Sequence, residues 1–305
     1  MVKYILRRLL YSIFVLFGVA TIVFFLTRLT GDPVAILLPP DATTAQIEIM
    51  TARLGLDQPI YRQYIIFMGD LMRLDFGTSI RFRESTFSLI MERMPATLML
   101  ACAAMLLALV VAIPAGISAA LRQGSTTDRL LMVLSVLGQA MPVFWIGILM
   151  VMLFSVNLRW FPTSGFGGMR YLVLPAIALG IRFMAIIARL LRSSLIEVMG
   201  ADYIRTSRAK GLREKGVVIG HALRNSMLPV ITVIGLQMGA LLGGSVVTET
   251  VFAWPGVGRL LVQAIIYRDF PLVQASIILL AAVFVLINLV VDIIYVFIDP
   301  RISYN

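Results

Sequence analysis

Long apolar runs dominate this sequence and leave it few ways to fold in water. Residues 9–27, 97–121, 130–158, 227–248 and 270–298 are uncharged or carry one charge near an end, and a further run at 171–188 contains Arg182. About 20 apolar residues in a helix cross a hydrocarbon core of about 30 Å. Lipid offers no partner to an unpaired backbone N–H or C=O, so such runs must cross as helices. The expected fold is an all-α polytopic membrane protein with six transmembrane helices. Composition agrees, with 60% of 305 residues hydrophobic and 14% charged. Lys3, Arg7 and Arg8 precede the first run as they would in a secretory leader. Its apolar stretch is too long for one, however, and RLTGDP follows without a small-x-small cleavage site, which predicts an uncleaved anchor.

A net charge of +10 would point to nucleic acid in a soluble chain, but here the distribution of cations between the two membrane faces carries the meaning. Alternate connections on one side receive Lys3, Arg7 and Arg8, then Arg122 and Arg129, then eight cations within 189–225, and Arg301. The short loops of the other side hold Arg159, Arg170, Arg259 and Arg268. The asymmetry predicts cytoplasmic termini, with membrane lipid rather than nucleic acid as the surface these cations meet. The expected divisions are an anchor at 1–28, an extracytoplasmic helical segment at 29–95, a five-helix core at 96–298 with a cytoplasmic loop at 189–226, and a tail at 299–305. Within the outer segment, one helix led by Thr43 or Thr44 stops at Gly55. A second starts at Pro59 and carries Tyr61, Tyr64, Ile65, Met68 and Met72. This segment is either a lid over the outer span ends or a surface for an external partner.

Several chemistries lack their residues. None of the three lysines, Lys3, Lys210 and Lys215, follows a glycine, so there is no G-x-x-x-x-G-K-[ST] phosphate loop and no ATP site of that kind. The single histidine, His221, offers no histidine cluster for a metal, and Cys102 has no second cysteine with which to pair. Cys102 reads as a small packing residue within an apolar run. An intramembrane enzyme would have to rely on His221 or on a serine such as Ser245. A stand-alone channel or secondary transporter is the other competing class.

The basic stretch at 201–216 is a different feature. Asp202 reads as an N-cap, Gly211 as a C-terminal stop, and Arg208 and Lys210 fall in the last turn, which predicts a helix over 203–210. A helix of about 12 Å is marginal in water and must be held by something. Its apolar residues, Tyr203, Ile204 and Ala209, are few, which suits insertion into a groove of another protein. Headgroup binding would account for the charge but not for the paired stop signals.

DYIRTSRAKG at 202–211, followed by HALRNSMLPV at 221–230, resembles the cytoplasmic EAA-type loop of bacterial ABC importer permeases, in the dipeptide, oligopeptide and nickel branch. Gly211 matches the loop glycine, and Leu228 and Pro229 match its closing Leu-Pro. Arg205, Thr206 and Ser207 stand where Glu-Ala-Ala would be, a departure shared by the peptide branch. KYILRRLL at 3–10, GDP at 31–33, LGLDQP at 54–59, FGTS at 76–79, RSS at 192–194 and TETVFAWPGVGRL at 248–260 extend the resemblance along nearly the whole chain. The resemblance implies a coupling helix seated in an ATPase subunit, with Asp202, Tyr203, Arg205, Thr206, Arg208, Ala209, Lys210 and Gly211 as its residues. It further implies a second, similar permease, two cytoplasmic ATPases that bind ATP and Mg, and an external substrate-binding protein. No cofactor is expected on this chain. The cargo would be peptides, with nickel, opines or oligosaccharides as alternatives.

Three residues are candidates for the substrate pathway. Arg182 lies about 16 Å into its span, near the midplane, where a cation costs roughly 2.5–3.5 kcal/mol on insertion scales. It either attracts an anionic group of the substrate or makes a structural contact. Gln237 is a polar candidate in the fifth span and Glu249 lies at that span's outer end. Gly235, Gly239 and Gly243 recur every four residues in the same span and read as a helix-packing face. Pro142 and Pro175 are expected to bend their helices. Trp160 and Phe161 are expected at the outer boundary.

Overall fold

The computed structural model describes residues 2–29, 38, 42–53 and 55–298. The helices are α1 (Val2–Leu29), α2 (Thr44–Arg53), α3 (Ile60–Met72), α4 (Thr86–Leu121), α5 (Thr126–Ala140), α6 (Val143–Asn157), α7 (Met169–Met199), α8 (Asp202–Ala209), α9 (Glu214–Val251), α10 (Val257–Ile266) and α11 (Phe270–Ile298). No strand occurs among the described residues. The GDP motif at 31–33, Leu54 and the tail at 299–305 lie outside them. Five helices, α1, α4, α7, α9 and α11, are individually long and apolar enough to cross a membrane. Their outer faces carry residues such as Phe14, 74% exposed, Leu106, 63%, and Leu236, 62%. A water-soluble monomer does not tolerate apolar surface on this scale, whereas lipid does.

The run at 130–158 is not one straight span. α5 and α6 meet at an angle of 107°. Proline biases its preceding residue towards extended backbone, and Met141 adopts φ −78° and ψ 134° directly before Pro142. Pro142 itself is the N-cap of α6 at ψ 136°, so it separates two helices rather than kinking one. The second half of α6, Val151–Asn157, winds as a π-helix. Pro175, by contrast, is accommodated inside α7.

The chain divides into two compact units, Met1–Pro95 with Gly256–Leu286, and Ala96–Pro255 with Ile287–Asn305. In the first, Phe24 is fully buried on α1 and meets Tyr64 and Phe67 of α3 with ring centroids 5.3 Å away in each case. The Tyr64 hydroxyl also hydrogen-bonds Thr21 at 2.8 Å. The FGTS motif forms a turn whose Ser79 hydroxyl donates to the buried Asp269 carboxylate. Asp269 also accepts the backbone N–H of Arg81 at 3.1 Å and of Leu272 at 3.3 Å. A buried carboxylate must be surrounded by donors in this way, and here that requirement fastens the turn to the start of α11.

In the second unit α4 and α7 pack backbone to backbone. A Cβ added at Gly116 would lie 2.8 Å from the Ala188 carbonyl oxygen, and one at Gly180 would lie 2.8 Å from that of Ala104. Small residues are what permit such an approach. Trp254, fully buried, donates from Nε1 to the Ala96 carbonyl at 2.9 Å and meets Phe166 edge-on. Its backbone N–H bonds the Glu249 carbonyl at 2.8 Å, closing the end of α9. Cys102 is exposed, so it does not fill a gap in the core.

Candidate docking helix and pathway residues

α8 begins one residue earlier than the sequence suggests. Asp202 is its first helical residue and not its cap; Ala201, at φ −71° and ψ 150°, occupies the N-cap position and has no side chain to bond there. Asp202 still lies in the first turn, where a carboxylate complements the helix dipole. At the other end Lys210 is the C-cap and Gly211 takes φ +78°, a left-handed conformation that favours glycine. The Gly211 N–H reaches the Arg208 carbonyl at 2.9 Å.

Of the helix's few apolar residues, one anchors it in its own protein. Ile204 is fully buried in a cluster with Leu195, Val217 and Ala222, against which Ile117, Ala120, Val198 and Met199 also pack. Arg208 forks onto the Glu214 carboxylate at 2.7 Å and 3.1 Å, bracing α8 against the start of α9. Those hydrogen bonds hold the Arg208 guanidinium further above its ordinary pKa. Asn225 donates to the Tyr203 hydroxyl at 2.8 Å. Residues three and four apart share a helix face, so Asp202, Arg205, Thr206 and Ala209 lie together on the side opposite Ile204. All four are exposed, the Asp202 side chain by 96% and that of Arg205 by 75%. Lys210 and Leu212 extend this open surface, Leu212 at 46% exposure. Sequence reasoning missed Leu212; the signal was an aliphatic residue directly after a helix-stopping glycine.

Behind α8 lies a feature with no local sequence signature. Asp128, 3% exposed, accepts the Arg192 guanidinium through both carboxylate oxygens, the Nη2 contact being 2.7 Å, and takes the Gly124 N–H at 2.9 Å. The RSS motif therefore contributes an ion pair that ties the start of α5 to α7. Arg189 donates to Gln139 at 2.8 Å one turn earlier. His221 is exposed within the π-helical turn Val217–Ala222. The Ser245 hydroxyl is spent on the Leu242 carbonyl at 2.8 Å. Neither has the geometry of an activated nucleophile or its base.

The pathway candidates are not gathered in one place. Arg182 is exposed on α7, with no ion-pair or hydrogen-bond partner among the described residues. Gln237 is half-buried on α9. Glu249 is fully buried, and its carboxylate accepts the Thr97 hydroxyl at 2.8 Å. Of the glycine repeat, Gly235 packs directly on Val291 and Gly239 is buried, while Gly243 is open; the tight contact falls one residue on, where Gly244 faces Leu179.

A polytopic helical membrane protein with a braced surface helix and no phosphate loop of its own fits the transport-subunit class. Residues 112–304 match the family described as binding-protein-dependent transport system inner membrane component, and residues 1–101 match its N-terminal membrane component. The glutathione transport system permease protein GsiC of Escherichia coli (strain K12) is 44% identical over 306 residues, with 100% of both chains covered. The di/tripeptide transport system permease protein DppB of Pseudomonas aeruginosa (strain UCBPP-PA14) is 42% identical over 335 residues, again with full coverage of both. Among solved structures, the inward-facing MetNI methionine ABC transporter shares the fold at TM-score 0.60 and 19% identity, covering 70% of this chain and 97% of that one. This chain belongs to the family of binding-protein-dependent transport system inner membrane components. It is the permease subunit of an ABC importer, an inner-membrane protein that crosses the bilayer several times, and ATP hydrolysis is the work of its partner subunits.

Proposed function

We propose that this chain forms half of a translocation pathway for di- or oligopeptides, completed by a second, similar permease. Two cytoplasmic ATPases, binding ATP and Mg, would drive it, and an external binding protein would deliver the cargo. The observation that carries the peptide assignment is full-length identity of 44% and 42% to two permeases whose names specify glutathione and di/tripeptides. Both termini and α8 face the cytoplasm in this scheme, as the cation distribution favours.

α8 is the element we assign to ATPase docking. Its face of Asp202, Tyr203, Arg205, Thr206, Ala209, Lys210 and Gly211 meets the partner, while Ile204 and the Arg208–Glu214 brace pass displacement into α9. A helix of 38 residues spans about 57 Å, long enough to carry movement from one membrane face to the other.

Arg182, on α7, serves the pathway by attracting the carboxylate of the cargo, with Gln237 and Glu249 of α9 as its further polar residues. In proteoliposomes holding the whole complex, uptake of labelled dipeptide should fall about tenfold in Arg182→Gln, the equivalent of about 1.4 kcal/mol, while all subunits still co-purify. Normal uptake by a normally assembled variant removes Arg182 from the pathway. Uptake of nickel chelates or oligosaccharides with none of peptides removes the cargo assignment.

A further inference from the structure

The first unit contains a cavity of about 270 Å³ where α1 ends, beside α3 and the start of α11. Its lining mixes both signs of charge: Arg28 on one element, Asp70 and Asp75 on others, with the amides of Gln63 and Gln274 and a wall that includes Phe67. Oppositely charged groups around one small space ordinarily pair with each other. Among the described residues none of these charges forms an ion pair, and two buried polar atoms remain unsatisfied. Arg28 Nε, a donor, and Gln63 Oε1, an acceptor, have no hydrogen-bond partner. Both residues are otherwise fixed in place. The Arg28 guanidinium sits 5.3 Å over the Phe24 ring. The Gln63 amide nitrogen donates to the Gln58 carbonyl at 2.8 Å, which aims its oxygen away from that carbonyl. A buried donor or acceptor left unmade is costly, the more so on a charged group, so a pair of them beside one cavity marks a place shaped for something else.

We propose that this cavity binds a small zwitterion carrying one carboxylate and one ammonium group. The carboxylate accepts from Arg28 Nε. The ammonium donates to Gln63 Oε1 and is balanced by the Asp70 carboxylate, while Phe67 covers the carbon skeleton. Asp75, exposed at the rim with one carboxylate oxygen already accepting the Gly77 N–H at 2.9 Å, marks the open end. A simple anion fails to use the acceptor and meets two carboxylates; a metal cation meets Arg28. The volume lies below the ~300–1,000 Å³ of drug-sized pockets, which restricts the ligand to the scale of an amino acid or dipeptide. The site is independent of the cargo assignment, since its lining includes none of Arg182, Gln237 and Glu249 and it is read by binding rather than by uptake.

Calorimetric titration of the assembled complex, without nucleotide or binding protein, tests it with diglycine, N-acetylglycine and glycinamide. Diglycine should bind saturably, and each blocked analogue, lacking one charge, about tenfold or more weakly. Arg28→Gln and, separately, Gln63→Leu should abolish that binding event while the subunits still co-purify and retain ATPase activity. Equal binding of all three probes, diglycine titrations unchanged in both variants, or no saturable binding of diglycine in the millimolar range would each overturn the proposal. Uptake that persists in Arg28→Gln while binding is lost leaves the cargo assignment standing by itself.

Discussion

Import should stop when Ile204 is replaced by aspartate, with every span still inserted. The side chain is fully buried among Leu195, Val217 and Ala222, and an unpaired carboxylate in such a place costs several kcal/mol. An eight-residue helix has nothing comparable with which to offset that, because isolated helices this short are marginal in water. α8 should therefore leave its seat, and the proposed route from ATPase to α9 should be cut. A complementary variant tests the opposite face. Ala209→Trp combined with Arg205→Glu keeps Ile204 seated but fills the exposed side of the helix and reverses a charge there. Loss of a central contact in an interface costs 2 kcal/mol or more, so ATPase association should weaken by roughly 30-fold. In reconstituted complexes both variants should hydrolyse ATP without import, or fail to retain the ATPases on purification. Wild-type import and wild-type ATPase stimulation in both would remove α8 from the coupling route.

Truncating Trp254 should produce a large loss of stability. Trp254→Ala empties a fully buried site, removes the Nε1 donor to Ala96 and leaves Phe166 without its edge-on neighbour. Large-to-small changes of this kind cost about 3–5 kcal/mol. Trp254→Phe retains most of the volume and removes only the Nε1 hydrogen bond to the Ala96 carbonyl, which keeps its own helical partner, at about 0.5–1.5 kcal/mol. Thermal unfolding of the detergent-solubilised protein should rank wild type above the phenylalanine variant and that above alanine. A melting temperature for Trp254→Ala within error of wild type would show that the end of α9 is held by other contacts. The neighbouring backbone explains why the effect is concentrated here: Ala253 occupies a left-handed φ of +51°, so the turn depends on Trp254 to stay in place.

The helices were legible because lipid leaves an apolar run of sufficient length only one way to satisfy its backbone. Their joints were less so. Pro142 announced a disturbance, yet whether proline kinks a span or ends it depends on the preceding residue, and Met141 is pushed into extended backbone. Within α8 the stop at Gly211 was readable, since a left-handed position selects glycine. The start was misread because Asp202 is as acceptable in the first turn as at the cap. Ile204 stood in plain view as the lone strongly apolar residue opposite a polar face, the signature of an anchor. The Arg192–Asp128 pair joins residues 64 apart, and nothing in a local window encodes that distance. The close approaches at Gly116 and Gly180 are hidden for the same reason. A period of four along α9 indicated a packing face, but the register of its neighbour decides that Gly244 and not Gly243 meets Leu179.

Solute accumulation in proteoliposomes, measured first with this chain alone and then with the second permease, both ATPases, the binding protein and ATP, addresses the transport mechanism most directly. Accumulation against a gradient only in the full assembly, and only with ATP, is the expected result. Uphill accumulation by the isolated chain, or by an assembly denied nucleotide, would contradict a permease whose movement is supplied through α8 by its partners.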